Sequence, residues 1–539
     1  MLRFVFVPAP ELPRLSWCAR LSRGGETVVV EHGSGVETTP AFFVEGAWDG
    51  RFGDGEPATA TTMLGSGGQI MGDGACFCTT THSKERLQSL LADNALLISN
   101  SFPYLLRAAG DSVDPNYRFY ERDFMSSMNG ISRACKRVPT AGGLWVRLHY
   151  GERIYVDRSL RMRTERYPEP RGFASYEDYI AGVETLLRAL TDNATAPARR
   201  TRYRPLATIS TGYDSPAAAV FAQHVGCTEA ITFCDARAEY ADVRWNPADA
   251  DDSGADIARH IGIAVKTYSR SDYRRCTFPE AEFLATGNGG DDVILRAAES
   301  EFSGSMLYTG FLGDIVWDCQ SDRTELSRDY AYKDPSGASL GEFRLRVGFI
   351  HVPVPLLHFT RHRDLDVISR SDEMARWRVG GDYDRPIPRR LVESRGVPRH
   401  LYGQNKKAIT QPIWLPADFR DVLLPESYAD LVAYWRRTAA AAGLSLQTRL
   451  RQRVSPLLTA RCLPLVNRCK RTLNWQAVRV ERLTGRRLLP PLNTTTPQTA
   501  ASVLYGTPAG VKFHWAIDKV LPRYAATRLA PAAQAEHAA

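Results

Sequence analysis

Short apolar runs broken by glycine, proline and small polar residues fill positions 1–165, a punctuation that predicts strands more than long helices. Strands are expected at 3–7, 26–30 and 40–44, and a hairpin should join 144–149 to 153–156 across Tyr150-Gly151-Glu152. Helices are expected at 84–92 and 104–109. The glycine-rich run 65–74 reads as a surface loop, because it lacks the Lys-Ser/Thr ending of a phosphate loop. Over 176–190 the period changes: Tyr179, Ile180, Val183, Leu186, Leu187 and Leu190 recur at helical spacing, and the polar run 195–201 after them reads as a linker. Apolar strands at 205–209, 230–234, 263–267 and 305–309 then alternate with helices at 216–224, 254–260 and 291–300. That order predicts a mostly parallel sheet covered on both faces, with any site beyond the carboxyl ends of its strands. After 340 the chain reads as helical and basic, broken by Pro353, Pro355, Pro386 and Pro388, and its Ala- and Pro-rich end reads as a poorly ordered tail after a short segment. The expected divisions are 1–165, 170–430 and 431–539, within an α/β class overall.

Composition narrows the class. With 539 residues, 44% apolar and 24% charged, the chain belongs among globular proteins of roughly two to four domains. Ten cysteines, scattered apart from Cys76 and Cys78, form no zinc-like CxxC pairs, and buried thiols in a reducing, cytoplasmic compartment are expected. No run approaches the length of a membrane span. The net charge of +8 is uneven: over 435–487 arginines and lysines crowd together with Glu481 as the single acid. A nucleic-acid surface is one reading of that stretch. A solvated basic helical face or a funnel toward a nucleotide is favoured, because aromatic residues are not interleaved with the charge.

The chemistry concentrates at two turns. Ser210-Thr211-Gly212-Tyr213-Asp214-Ser215 follows the apolar run Pro205-Leu206-Ala207-Thr208-Ile209 and precedes a small-residue helix that starts near Pro216. A strand ending in such a turn aims backbone N–H groups and two hydroxyls at the positive end of a helix, where an anion belongs. The second turn, Tyr308-Thr309-Gly310-Phe311-Leu312-Gly313-Asp314, again runs from a strand into glycines and one carboxylate. If both strands share a sheet, Asp214 and Asp314 meet above its edge and form, with phosphate oxygens, a hard site suited to magnesium.

These residues resemble the asparagine-synthetase-like branch of the N-type ATP pyrophosphatases. That family's Ser-Gly-Gly-x-Asp-Ser loop corresponds to 210–215. The order that follows it, a strand, an acidic stretch and a helix ending in Leu-Gly, corresponds to Ala230-Ile231-Thr232-Phe233, Asp251-Asp252 and the helix from Ala255 to Ile261-Gly262. Its second motif, Gly-Asp-Gly-Gly-Asp-Glu or a close variant, corresponds to Gly310, Gly313 and Asp314. The resemblance implies a doubly wound ATP pyrophosphatase domain with a helical C-terminal extension. In it Ser210, Gly212 and Ser215 hold the pyrophosphate end of ATP, Thr211 adds a hydroxyl, and Asp214 and Asp314 hold Mg2+. Asp235 is implied on the adenosine side, and Lys406 or Lys407, after Gly403-Gln404-Asn405, on the phosphates. The implied reaction adenylates a small-molecule or peptide carboxylate and passes the acyl group to an amine.

The departures are specific. Thr211 replaces a glycine, Phe311 and Ile315 stand where the family has acids, and Leu312 stands where it has glycine. Phe311 in place of the acid that receives aspartate points to a bulkier or more apolar acid. The spans Asp93-Asn94-Ala95-Leu96-Leu97-Ile98-Ser99-Asn100 and Ile131–Val146 resemble the closing part of that family's Ntn-hydrolase-like glutaminase domain. Leu2 stands where glutamine-using relatives carry the nucleophilic cysteine, and the first cysteine is Cys18, so no glutaminase activity is expected. His351, His358 and His362 are spaced for a helix that Pro353 and Pro355 interrupt, which argues against a metal centre. Glu342, Arg344 and Arg346 are candidates for an acceptor pocket or for a solvated strand face. An amide ligase leads the competing classes, against a nucleotide-binding scaffold and an ATP-dependent RNA or small-molecule modifier. A homodimer is left open.

Overall fold

Alternating burial along the N-terminal strands assembles them into two sheets packed face to face. The computed structural model describes residues 2–235, 251–318, 329–332, 334–380, 383–404, 407, 422–441 and 508–529, with isolated positions between 468 and 476. The first sheet runs Arg3–Pro8, Thr27–His32, Trp17–Ser22, Ala95–Ser99, Leu87–Ala92, Trp145–His149 and Arg137–Pro139. The second runs Met162–Arg166, Glu152–Asp157, Gly74–Cys78, Met63–Met71, Phe42–Trp48 and Glu37–Thr38. Trp17 fills the space between them, its ring 4.9 Å from Phe43 and 6.2 Å from Phe77.

Three expectations for this region are corrected. The glycine-rich run 65–74 is no surface loop: most of it lies in the buried strand Met63–Met71. Its glycines allow close approach, since a Cβ on Gly67 would sit 2.3 Å from the Phe43 carbonyl oxygen. The expected helix at 84–92 is the strand Leu87–Ala92, paired on both sides, so ladder pairing overrides local helix preference. The expected hairpin does not form. Trp145–His149 belongs to one sheet and Glu152–Asp157 to the other, and Gly151, at φ 56°, turns the chain between them.

The helix Tyr176–Thr195 matches its apolar stripe, capped by Ser175, whose side chain accepts the Asp178 N–H. The run 195–201 after it is tied down rather than free. Buried Arg199 donates to the Asn193 and Gly46 carbonyls at 2.7 Å each. Five parallel strands follow: β1 (Arg204–Thr208), β2 (Glu229–Phe233), β3 (Ala264–Tyr268), β4 (Ser305–Thr309) and β5 (Ile350–Pro353). Their order is β3-β2-β1-β4-β5, every neighbouring pair parallel. β5 falls where a purely helical stretch was expected.

Both faces of this sheet are covered, because alternate residues enter separate cores. Ala207, Met306 and Tyr308 share one with the helices Tyr176–Thr195, Asp214–His224 and Ala255–Ile261. Leu206, Ile231 and Leu307 share the other with Phe102–Ala109, Pro279–Leu284, Gly341–Val347 and Lys512–Val520. The C-terminal helix therefore packs Phe513, Trp515 and Ile517 into the core, and Tyr524 stacks on Tyr104 at 4.9 Å, where a loose tail was expected. Glu342, Arg344 and Arg346 lie on the helix Gly341–Val347 and not on a strand, and their partners are structural. Arg344 is buried between Glu45 at 2.6 Å and Glu85 at 2.7 Å, and Arg346 pairs with Glu299 at 2.6 Å. Most of the basic stretch 435–487 lies outside the described residues. Among the described residues, no helix is long and apolar enough to cross a membrane.

Candidate functional site

The sheet reverses its winding between β1 and β4, and a cleft opens beyond their carboxyl ends. Ser210, Gly212, Asp214 and Ser215 line it from the β1 side, Gly310, Phe311, Leu312 and Asp314 from the β4 side, with Asp252, Asp334, Tyr383 and Lys407 around them. The helix Asp214–His224 starts at its floor. Ala217, Ala218, Ala219 and Ala222 are all buried, so the helix lies close on the sheet and its N-terminus reaches the cleft.

The first loop is held from within and from outside. Ser210 Oγ and Ser215 Oγ share a hydrogen bond of 2.8 Å, and Ser210 Oγ accepts the Gly212 N–H at 3.3 Å. A Cβ on Gly212 would lie 3.6 Å from both Ser210 Oγ and the Tyr383 hydroxyl, an ordinary contact distance. Buried Asp252 accepts both the Thr211 N–H, at 3.1 Å, and the Thr211 hydroxyl, at 2.6 Å. The Thr211 hydroxyl, expected to face phosphate, is thus engaged sideways, and the β-branched residue is accommodated by a specific acceptor. Lys407 reaches over the same loop, donating to Thr211 Oγ1 at 3.3 Å and to the Asp251 carbonyl.

The second loop presses directly on the first. A Cβ on Gly310 would lie 2.3 Å from the Asp214 backbone carbon, and one on Gly313 2.6 Å from the Asp214 carboxylate. Both positions exclude any side chain, which lets the loop that carries Asp314 lie against Asp214. Leu312 holds a left-handed backbone, φ 67°, at a position where the resemblance places glycine. Of the altered residues, Phe311 faces the cleft with its ring 5.7 Å from His351. Ile315 is buried in the core instead, and its carbonyl accepts from His362.

Other sites separate. Asp235 is not among the cleft-lining residues; its carboxylate accepts the Arg270 N–H at 2.8 Å. Lys406 lies outside the described residues. His351, on β5, hydrogen-bonds Thr309 at 2.9 Å, and His358 packs edge-on against Phe173, so the three histidines are dispersed through the core. Cys18 is fully buried, and burial together with Glu31 raises its thiol, as suits a packed side chain.

Charge defines what the cleft can hold. Asp214, Asp252, Asp314 and Asp334 line it against Lys407, the one cation among the described lining residues. A bare polyanion would be repelled, whereas an anion carrying a divalent cation would be drawn in. Among the described residues no three Asp, Glu, His or Cys side chains converge to hold a metal alone. An ion between Asp214 and Asp314 would therefore take its remaining oxygens from phosphate and water, a donor set that fits magnesium. Asp252 and Asp334 escaped the sequence reading as site residues. The adjacent acids Asp251-Asp252 were visible, but only the packing of 251–254 against 209–211 gives them a role. No known protein-family model matches the chain, and no curated protein matches it.

Proposed function

We propose that this protein is an ATP-dependent, AMP-forming amide ligase. It activates the carboxylate of a small molecule or peptide and transfers the acyl group to ammonia or a substrate amine, without a glutaminase activity of its own. The observation that carries the reading is the contact of two glycine turns around Asp214, at the switch point of a parallel sheet and under Lys407. On this reading the parallel-sheet region is the ATP pyrophosphatase domain and the sandwich a degenerate amidotransferase-like domain.

The roles follow from position. Ser210, Ser215 and the first amides of the helix hold the departing pyrophosphate at the positive helix end. Asp252 stiffens the loop through Thr211, and Lys407 places an ammonium beside it to offset charge as the pyrophosphate leaves. Magnesium, when held by Asp214 and Asp314, supplies further neutralisation of phosphate charge. Ile231 and Phe233 offer an apolar strip for the base, and Phe311 an apolar wall for the acyl group. The protein thereby acts mainly by positioning and by fixed charge.

A second reading, a nucleotide-binding scaffold protein, draws on Phe311, which occupies the cleft where the resemblance places an acid. ATP–pyrophosphate exchange with Mg2+ across a panel of carboxylic acids separates the two. Acid-dependent exchange that Asp214→Asn abolishes is expected of the ligase. ATP binding without exchange for any acid favours the scaffold, and absence of ATP binding overturns both.

A further inference from the structure

One short segment of the N-terminal domain, 81–86, touches the second domain at every residue. Thr81 accepts through its carbonyl from the Tyr330 hydroxyl at 3.1 Å, and the His82 ring lies 6.2 Å from that of His351. Ser83 shares a 2.7 Å hydrogen bond with the Tyr332 hydroxyl. Lys84 donates to the Asp334 carbonyl at 2.8 Å, Glu85 pairs with Arg344 at 2.7 Å, and Arg86 donates to the Thr286 carbonyl at 2.6 Å. Three of these contacts fall on 330, 332 and 334, so the segment holds one short stretch of the second domain at three points. That stretch leads into the cleft, because Asp334 and Ser336 line it, and His351 backs Phe311 from behind.

Lys84 is the member with the most at stake. It is 2% exposed, and its ammonium also lies 4.1 Å over the centre of the Tyr332 ring. Burial pushes it down to about 8, against the pull of Asp334, Asp292, Asp291 and Asp314. A buried ammonium is costly and persists where its partners hold it, here one carbonyl, one aromatic face and a set of aspartates on the other domain. Asp292 completes the arrangement by accepting the Gly337 N–H at 2.9 Å and the Ser339 hydroxyl at 2.7 Å, which fixes the far end of the same stretch.

We infer that Lys84 is a positioning residue for the cleft: from the N-terminal domain it holds the wall formed by Asp334 and Ser336, on the side of Phe311 where the acyl substrate would lie. The inference rests on the ligase reading for its catalytic consequence. The pyrophosphate loop, Asp252 and Lys407 stand on other supports, so the effect of losing Lys84 falls on the acid and not on ATP. It also gives the N-terminal domain a task that needs no glutaminase chemistry.

The test uses the full chain with Lys84→Met and Lys84→Arg. In magnesium-dependent ATP–pyrophosphate exchange, Lys84→Met should raise KM for the carboxylic acid about tenfold or more, with KM for ATP unchanged. Lys84→Arg, which keeps the cation and a donor, should recover most of that loss. Backbone hydrogen exchange of 334–339, measured without any ligand, should quicken in Lys84→Met and return toward wild type in Lys84→Arg. Wild-type KM values and wild-type exchange in Lys84→Met would overturn the inference, and so would an equal rise in both KM values. If the wild-type protein catalyses no exchange, the ligase reading fails, and the hydrogen exchange of 334–339 still decides whether Lys84 holds the wall. Should Lys84→Met not fold, Lys84→Gln, which keeps a donor for the Asp334 carbonyl but loses the charge, is measured the same way with the same outcomes.

Discussion

Gly313 stands so close to Asp214 that a methyl group in place of its hydrogen would lie 2.6 Å from the carboxylate. The two loops of the cleft therefore meet only because one of them carries glycine there. Gly313→Ala and Gly310→Ala should each cost about 1–3 kcal/mol of stability through overlap with Asp214. On the proposed ligase reading, both should also abolish magnesium-dependent ATP binding by displacing its carboxylate. Gly304→Ala is the control: with φ at 66° and open space around its Cβ, it should cost about 1 kcal/mol of backbone strain and leave ATP binding intact. Thermal melts and calorimetric titration with ATP and Mg2+ check all three.

Asp252 accepts two hydrogen bonds from Thr211 while itself buried. Its removal frees the loop at the residue where the chain departs from glycine. Asp252→Ala should weaken ATP binding by about tenfold, equivalent to about 1.4 kcal/mol. Thr211→Val should do much of the same, because it strips the hydroxyl from a buried acceptor. Calorimetric affinities for ATP with Mg2+ that match wild type in both variants would remove Asp252 from the site.

Arg344 pairs with Glu45 and Glu85, far from it along the chain, at 2.6 and 2.7 Å. Arg344→Met would leave buried Glu45 and partly buried Glu85 without their cation, at a cost of about 3–5 kcal/mol. Denaturant unfolding should register that loss. Glu45→Gln combined with Arg344→Met should be less unstable than Arg344→Met alone, since one of the stranded charges is then gone.

Buried histidines set an acid limit, with His82, His351 and His358 among them. Burial pushes His82 down to about 3 and His358 to about 4, and lowers His351 well below the ordinary imidazole range. The unfolded chain takes up protons near 6.5 while the folded protein keeps these rings neutral. Their contribution to stability is therefore complete above pH 6.5 and is lost as pH falls toward 4, by about 1.4 kcal/mol per pH unit for each ring. His358→Phe, replacing a ring already packed on Phe173 and Tyr179, should flatten that decline. Unfolding free energies measured from pH 7 to 4.5 would show it, and an unchanged slope would contradict it.

Local pattern carried the parallel sheet well. β1, β2, β3 and β4 match the four expected strands to within one residue at either end; β2 and β4, buried along nearly their whole length, read as apolar runs closed by turn residues. The turns at 210–215 and 310–314 were legible for the same reason, as small and polar residues at strand ends. β5 was not: Ile350–Pro353 is short, and its neighbourhood of prolines and basic residues resembles loop and helix. The strand Leu87–Ala92 and the crossing at Gly151 were misread because pairing between distant segments, and not local preference, decides them.

By itself, the sequence determined which residue types stand at the two turns and that a parallel sheet brings them to one edge. Chemistry at that edge needs hydroxyls, carboxylates and glycines in order, and these are local properties of the chain. Tertiary structure alone decided that Asp252 answers Thr211, that Ile315 leaves the cleft for the core while Phe311 stays, and that Lys84 meets the Asp334 carbonyl. Such partnerships join residues far apart along the chain, and close packing and the need to satisfy buried polar groups select them, which no local pattern records.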